Sequence, residues 1–179
     1  MHEIRWHGRG GQGGFTVARL LGMAASVFEG KYSLAFPSFG PERRGAPVLG
    51  FTRISDSRIT DRSMMDQCDF AVVLDETLMG SAVLGGLREK GIVLVNSRDP
   101  QKYAGMTDRK VMGIDATGLA MQVLGKPITN TAMLGALVAV SRMVSLASVK
   151  AAITQGMSGA MAEKNCTVVE RAYEMAGGK

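Results

Sequence analysis

Residues 8–14 read GRGGQGG, and no other stretch restricts the fold of this chain as tightly. A segment with so many residues lacking Cβ forms neither a stable helix nor a stable strand, so it must be a turn. Its neighbours say which turn. Residues 3–7 (EIRWH) read as a strand, and from Phe15 to Phe28 the apolar residues Val17, Leu21, Ala24 and Phe28 recur at helical spacing, with Leu20 and Val27 widening the stripe. Gly8, Gly10 and Gly13 satisfy G-x-G-x-x-G in the strand–turn–helix context that gives the pattern meaning. Glycines permit a sharp turn and close approach of backbone to ligand, and free N–H groups at a helix start attract an anion.

The same motif opens nicotinamide-binding domains, which also need an acid at the end of the second strand to hold the ribose hydroxyls. Here that strand, residues 32–36, ends in Leu34, Ala35, Phe36 and Pro37 without a carboxylate, and Glu29 precedes it. Three readings of the loop stay open: a dinucleotide site, a tight turn without ligand, and a contact with another anion or a partner.

Elements of alternating type follow. A proline-rich loop, residues 37–47, leads into a strand over 48–54 and a short extended piece at 58–60. Residues 70–74 are wholly apolar between Asp69 and Asp75, as a central strand covered on both faces should be. A helix is predicted over 77–90, strands over 92–95 and 111–114, and a helix over 116–124 capped by Asp115. From Thr131 the pattern is helical to the end, over 131–144, 146–155 and 162–176. This order predicts one three-layer α/β domain over residues 1–179, with a mostly parallel, Rossmann-like sheet and a helical C-terminal part.

Composition narrows function. The net charge is +5, but the basic residues are scattered, with Arg43-Arg44 and Arg109-Lys110 as the adjacent pairs, and the aromatic residues do not interleave with a basic run. An anionic small molecule or an acidic partner protein is expected rather than nucleic acid. The two cysteines, Cys68 and Cys166, form no C-x-x-C or Cys/His cluster, so no metal or iron–sulfur ligation is expected from this chain, and both are expected as reduced thiols in a cytoplasmic protein. The longest apolar run, residues 132–140, is too short to span a bilayer, so no membrane segment is expected.

Candidate functional residues are few. Glu42, Arg43 and Arg44 sit in the proline- and glycine-constrained loop, where two guanidiniums can fork onto phosphate or carboxylate, or pair with Glu42 on a solvated surface. Phe36 and Phe39 beside them suggest a loop pressed against the core or another subunit. Asp75 and Asp115 lie where open α/β sheets bind ligands, but each is better read as a helix cap. Asn130 is the predicted N-cap of the next helix, whose open end would present N–H groups to an anion. His2 and His7 have no nucleophile at catalytic spacing. No complete catalytic set emerges.

Three segments carry a family resemblance: EIRWHGRGGQGG at the start, AFPSFGPERRGAPVLGFTRIS over 35–55, and ITNTAMLGAL over 128–137, joined by VNS at Asn96 and KN at Lys164-Asn165. Together they resemble the gamma subunit of pyruvate and related 2-oxoacid:ferredoxin oxidoreductases, the ERRGAPV form being closer to the pyruvate and branched-chain members. The resemblance implies a subunit, inactive alone, of an enzyme that oxidatively decarboxylates a 2-oxoacid, captures the acyl group on coenzyme A and passes two electrons to ferredoxin. It places thiamine diphosphate between the alpha and beta subunits and the iron–sulfur clusters in the beta and delta subunits. It also implies that this chain packs against those partners and lends part of the coenzyme A site, with Gly10, Gly11, Gly13, Arg43, Arg44 and Asn130 as candidates. The alternative is a free-standing dinucleotide-binding oxidoreductase using the G-x-G-x-x-G loop.

Overall fold

The computed structural model describes residues 1–38 and 45–178. Six strands form one sheet in the order β2-β3-β1-β4-β5-β6: β1 (His2–Arg9), β2 (Tyr32–Pro37), β3 (Pro47–Ser55), β4 (Cys68–Val73), β5 (Leu87–Asn96) and β6 (Lys110–Ile114). The pairings β1–β4, β4–β5 and β5–β6 are parallel. Strand β3 is antiparallel to both β1 and β2, so it alone runs against the others. The expected mostly parallel α/β sheet is present.

Alternation along the strands assigns the faces. Ile4 and Trp6 of β1, Phe70 and Val72 of β4, and Leu94 of β5 face one large core formed with α1 (Gly14–Glu29), α3 (Ala116–Leu124), α4 (Asn130–Ser141), α5 (Leu146–Gly156) and α6 (Gly159–Met175). Trp6 is fully buried there, and its indole N–H donates to Thr52 Oγ1 at 3.1 Å, which donates in turn to the Ala18 carbonyl at 3.1 Å. Helix α4 is apolar on nearly every side because it runs through this core, packed on α6. Gly135 makes that packing close: a Cβ there would strike the Val169 carbonyl.

The opposite face holds a smaller core of Phe51, Ala71, Val73, Val93 and Val95, covered by the single-turn α2 (Ser81–Leu84) and by 3-10 segments at Glu76–Leu78 and Pro100–Met106. Phe36 stacks on Phe51 there at 5.0 Å between ring centroids. Charged residues of β1 and β3 share this face as a buried network. Arg53, 2% exposed, pairs through Nε with Glu3 Oε1 at 2.7 Å; Glu3 also pairs with Arg88, which pairs with Asp69 at 2.7 Å.

Two expectations fail. The helix over 77–90 is absent: after α2, the pair Gly85-Gly86 ends helical structure, Gly86 lies against the Arg5 guanidinium where a side chain would not fit, and Leu87 already pairs with Cys68 of β4. The last four residues of the expected helix, 87–90, are therefore strand. Residues 58–60 form no strand either; the chain runs as irregular backbone into Asp61, whose carbonyl accepts from Arg53 Nη1 at 2.8 Å.

Candidate functional site

Strand β1 leaves the sheet at its C-terminal edge, where β4, β5 and β6 also end. The glycine-rich turn lies there, with Gly11 at φ 95° and Gly13 at φ 75°, backbone that side-chain-bearing residues rarely adopt. Gly13 is the residue from which α1 starts. No side chain caps that start and no acidic residue sits in the first turn. Among the described residues, no group accepts from the N–H groups of residues 13–16, so α1 offers its positive end to whatever lies in front of it.

What lies in front is a small cleft of about 170 Å³ between residues 11–13 and residues 127–130. Asn130 closes its far wall. The cap position of α4 belongs to Thr129, and Asn130 is the first helical residue, which corrects the expected N-cap. The reason is a competing partner: the Asn130 side-chain amide donates to the Gly13 carbonyl at 3.3 Å, while its Oδ1 accepts from the adjacent Thr131 N–H at 2.9 Å. The starts of α1 and α4 thus meet at one cleft. A larger cleft of about 510 Å³ adjoins it, sharing Ile128 and Asn130 and lined further by Met157, Met161, Lys126 and Lys164.

The sequence candidates divide accordingly. Gly10, Gly11, Gly13 and Asn130 are brought together at the edge. Arg43 and Arg44, with Phe39, lie outside the described residues. The described flanks of their segment reach this edge: Gly45 N–H donates to the Gly10 carbonyl at 3.2 Å, and Gly10 N–H to the Ala46 carbonyl at 2.9 Å.

Asp75 and Asp115 do cap. Asp115 accepts from Gly118 N–H at 2.7 Å at the start of α3, and Asp75 accepts from Thr77 N–H at 3.0 Å. Asp75 has a second set of partners that the sequence did not announce, Arg9 and Gln12 of the glycine-rich turn, at 2.9 and 3.2 Å. Burial pushes its carboxyl up, but the hydrogen bonds from Thr77, Gln12 and Arg9 outweigh that and hold it below the usual carboxylate range. No signal in the sequence marks Arg9, because nothing in a one-dimensional pattern sets position 9 opposite position 75. Asn96 fastens the same edge, donating to the Leu74 carbonyl and to Thr117 Oγ1, both at 3.0 Å.

A dinucleotide enzyme would carry its ribose-binding acid at the end of the strand beside β1 on this side. That strand is the antiparallel β3, which begins at this edge with Pro47. Glu29 lies at the far end of α1, accepting from Ser145 N–H at 2.6 Å. Among the described residues, no three His, Cys, Asp or Glu side chains come together to hold a metal, and no helix is long and apolar enough to cross a membrane.

Fold and site together define an α/β domain with a glycine-rich cleft at the strand ends, the edge at which open sheets of this class bind ligands. The chain matches the family described as pyruvate ferredoxin/flavodoxin oxidoreductase over residues 3–175. It is 48% identical over 174 residues to pyruvate synthase subunit PorC of Methanocaldococcus jannaschii, covering 97% of this chain and 96% of the relative. It is 47% identical over 178 residues to the pyruvate/ketoisovalerate oxidoreductases common subunit gamma of Thermococcus kodakarensis, with the same coverage. Among solved structures, pyruvate oxidoreductase subunit PORC of Thermotoga maritima superposes with a TM-score of 0.86 at 38% identity, covering 97% of this chain and 95% of that one. The chain belongs to the pyruvate ferredoxin/flavodoxin oxidoreductase family, as one of its gamma subunits.

Proposed function

We propose that this gamma subunit, assembled in the cytoplasm with alpha, beta and delta subunits, supplies part of the coenzyme A site of a pyruvate-type 2-oxoacid:ferredoxin oxidoreductase. The overall change is 2-oxoacid plus coenzyme A thiol to acyl-coenzyme A, carbon dioxide, a proton and two electrons, the electrons going to ferredoxin. Thiamine diphosphate and iron–sulfur clusters, held by the partner subunits, supply the carbanion and electron-transfer chemistry. This chain binds and orients; it is inactive alone.

The observation that carries the reading is the convergence of the uncapped start of α1 at Gly13 with Asn130 at the start of α4, around one cleft. Coenzyme A carries phosphates, and the chemistry there suits them: N–H groups at a helix start, a glycine-rich turn that lets backbone approach, and Lys126 and Lys164 along the adjoining cleft. Gly10, Gly11 and Gly13 serve close backbone approach, Asn130 holds the cleft together, and Arg43, assisted by Arg44, pairs with phosphate through its guanidinium.

Arg43→Ala tests the reading in the assembled enzyme. It should raise the KM for coenzyme A by about ten-fold, the loss of about 1.4 kcal/mol of binding. Decarboxylation measured without coenzyme A should stay close to wild type. Unchanged coenzyme A dependence would remove Arg43 from the site.

A further inference from the structure

Asp75 divides its two carboxylate oxygens between two tasks. Oδ1 accepts from Thr77 N–H at 3.0 Å and from the Thr77 hydroxyl at 2.6 Å, which caps the 3-10 segment after β4. Oδ2 faces the other way and accepts from Arg9 Nε at 2.9 Å and Gln12 Nε2 at 3.2 Å. Both of those donors belong to the glycine-rich turn, and they are bound to each other, since Gln12 Oε1 accepts from Arg9 N–H at 2.7 Å. Arg9 spends its other nitrogens on the Gly45 carbonyl at 3.1 Å and Thr77 Oγ1 at 2.8 Å. One carboxylate therefore ties together the end of β4, the glycine-rich turn and the near flank of the segment that carries Arg43.

A turn of this composition needs such a tie. Glycine enlarges the range of conformations open to the backbone, so the direction of its N–H groups is set by what grips its two side-chain-bearing residues, Arg9 and Gln12. A cap alone does not explain an aspartate here, because Asn or Ser caps as well. What a carboxylate adds is a second acceptor oxygen, and in this structure that oxygen is turned to the loop.

We propose that Asp75 is the positioning residue of the glycine-rich turn: through Oδ2 it holds Arg9 and Gln12, whose own N–H donates to the Arg9 carbonyl at 2.9 Å, so that the free backbone N–H groups of Gly13 and Gly14 at the start of α1 face the cleft. For its ligand this rests on the coenzyme A reading above; the tie itself does not.

Asp75→Asn separates the two tasks. The amide keeps one oxygen for the Thr77 cap and sets an NH2 group against the Arg9 and Gln12 donors. In the assembled oxidoreductase it should raise the KM for coenzyme A by about ten-fold with kcat at saturating coenzyme A within about two-fold of wild type. Amide hydrogen exchange over residues 8–14, followed by mass spectrometry in the absence of coenzyme A, should quicken. Gln12→Met, which leaves β4 and its cap untouched, should move both readouts the same way by a smaller factor. Wild-type exchange in both single variants overturns the tie. Faster exchange with an unchanged KM, in a background where Gly13→Ala still raises it, overturns its role in binding. If Gly13→Ala also leaves the KM unchanged, the coenzyme A reading falls and the exchange rates alone decide the tie.

Discussion

The side-chain amide of Asn130 donates to the Gly13 carbonyl at 3.3 Å across 117 positions of sequence. The contact joins the starts of the two helices that frame the cleft, and it is possible only because position 13 has no Cβ and sits at φ 75°.

Gly13→Ala should therefore act twice, through the strained backbone and through collision with the Asn130 amide. The expected outcome in the assembled enzyme is a rise of about ten-fold or more in the KM for coenzyme A, with a smaller change in thermal stability. Steady-state titration of coenzyme A measures the first and calorimetry the second. A variant with wild-type KM would take the turn out of the ligand site.

Removing the centre of the buried charge network should be costly. Glu3→Ala leaves the Arg53 guanidinium, 2% exposed, with the Asp61 carbonyl at 2.8 Å and, among the described residues, the more distant Asp61 carboxylate at 3.4 Å as its one opposite charge, and a broken buried pair typically costs about 3–5 kcal/mol. Arg88 touches the same network from a side chain 38% exposed, so Arg88→Ala should cost about 1 kcal/mol or less. Urea denaturation of both variants tests the ranking, and equal losses would contradict it.

His7 predicts a window of acid sensitivity. It is 5% exposed, its Nε2 has no hydrogen-bond partner among the described residues, and burial, reinforced by the Arg5 guanidinium, lowers its pKa from 6.5 to about 4. A lowered folded pKa means that the unfolded chain takes up the proton first. The stability contribution is complete above pH 6.5 and drains as pH falls towards 4, by about 3 kcal/mol in all. His7→Leu should flatten denaturation midpoints across that window, and a variant as acid-sensitive as wild type would exclude His7 as the cause.

Gly135→Ala pits helix propensity against packing. Alanine favours the α4 backbone by about 1 kcal/mol, but its methyl group meets the Val169 carbonyl of α6, a main-chain atom that cannot turn aside, and overpacking costs about 1–3 kcal/mol. A net fall in Tm of several degrees is expected in a thermal melt. A rise would mean that α4 and α6 separate easily.

Much of the architecture was legible in the chain. The turn over 8–14 announced itself by composition, α1 by its apolar period, and β4 by an unbroken apolar run, because each is specified by neighbours in sequence. The stretch 77–90 misled for the converse reason. Its apolar residues suit either a helix or a strand, and the choice fell to the unpaired edge of β4, which draws Leu87 into the sheet, and to Gly86 pressed on Arg5. The sequence places Asn130 at a helix start but not its exact position there, since its side-chain amide is drawn across to the Gly13 carbonyl, a partner that no local pattern shows.

By itself the sequence determined the fold class, the family and the identity of the turn that meets the ligand edge, all of which depend on local pattern or on strings of residues shared with relatives. Only the tertiary structure decided that an antiparallel strand takes the place beside β1 where a dinucleotide enzyme keeps its acid, that Asn130 closes the cleft, and that Asp75 grips the turn through Arg9 and Gln12. The physical reason is separation: hydrogen bonds and strand pairings between residues 38 to 117 positions apart leave no period and no spacing in the chain, and become visible only when folding sets both partners at one edge of the sheet.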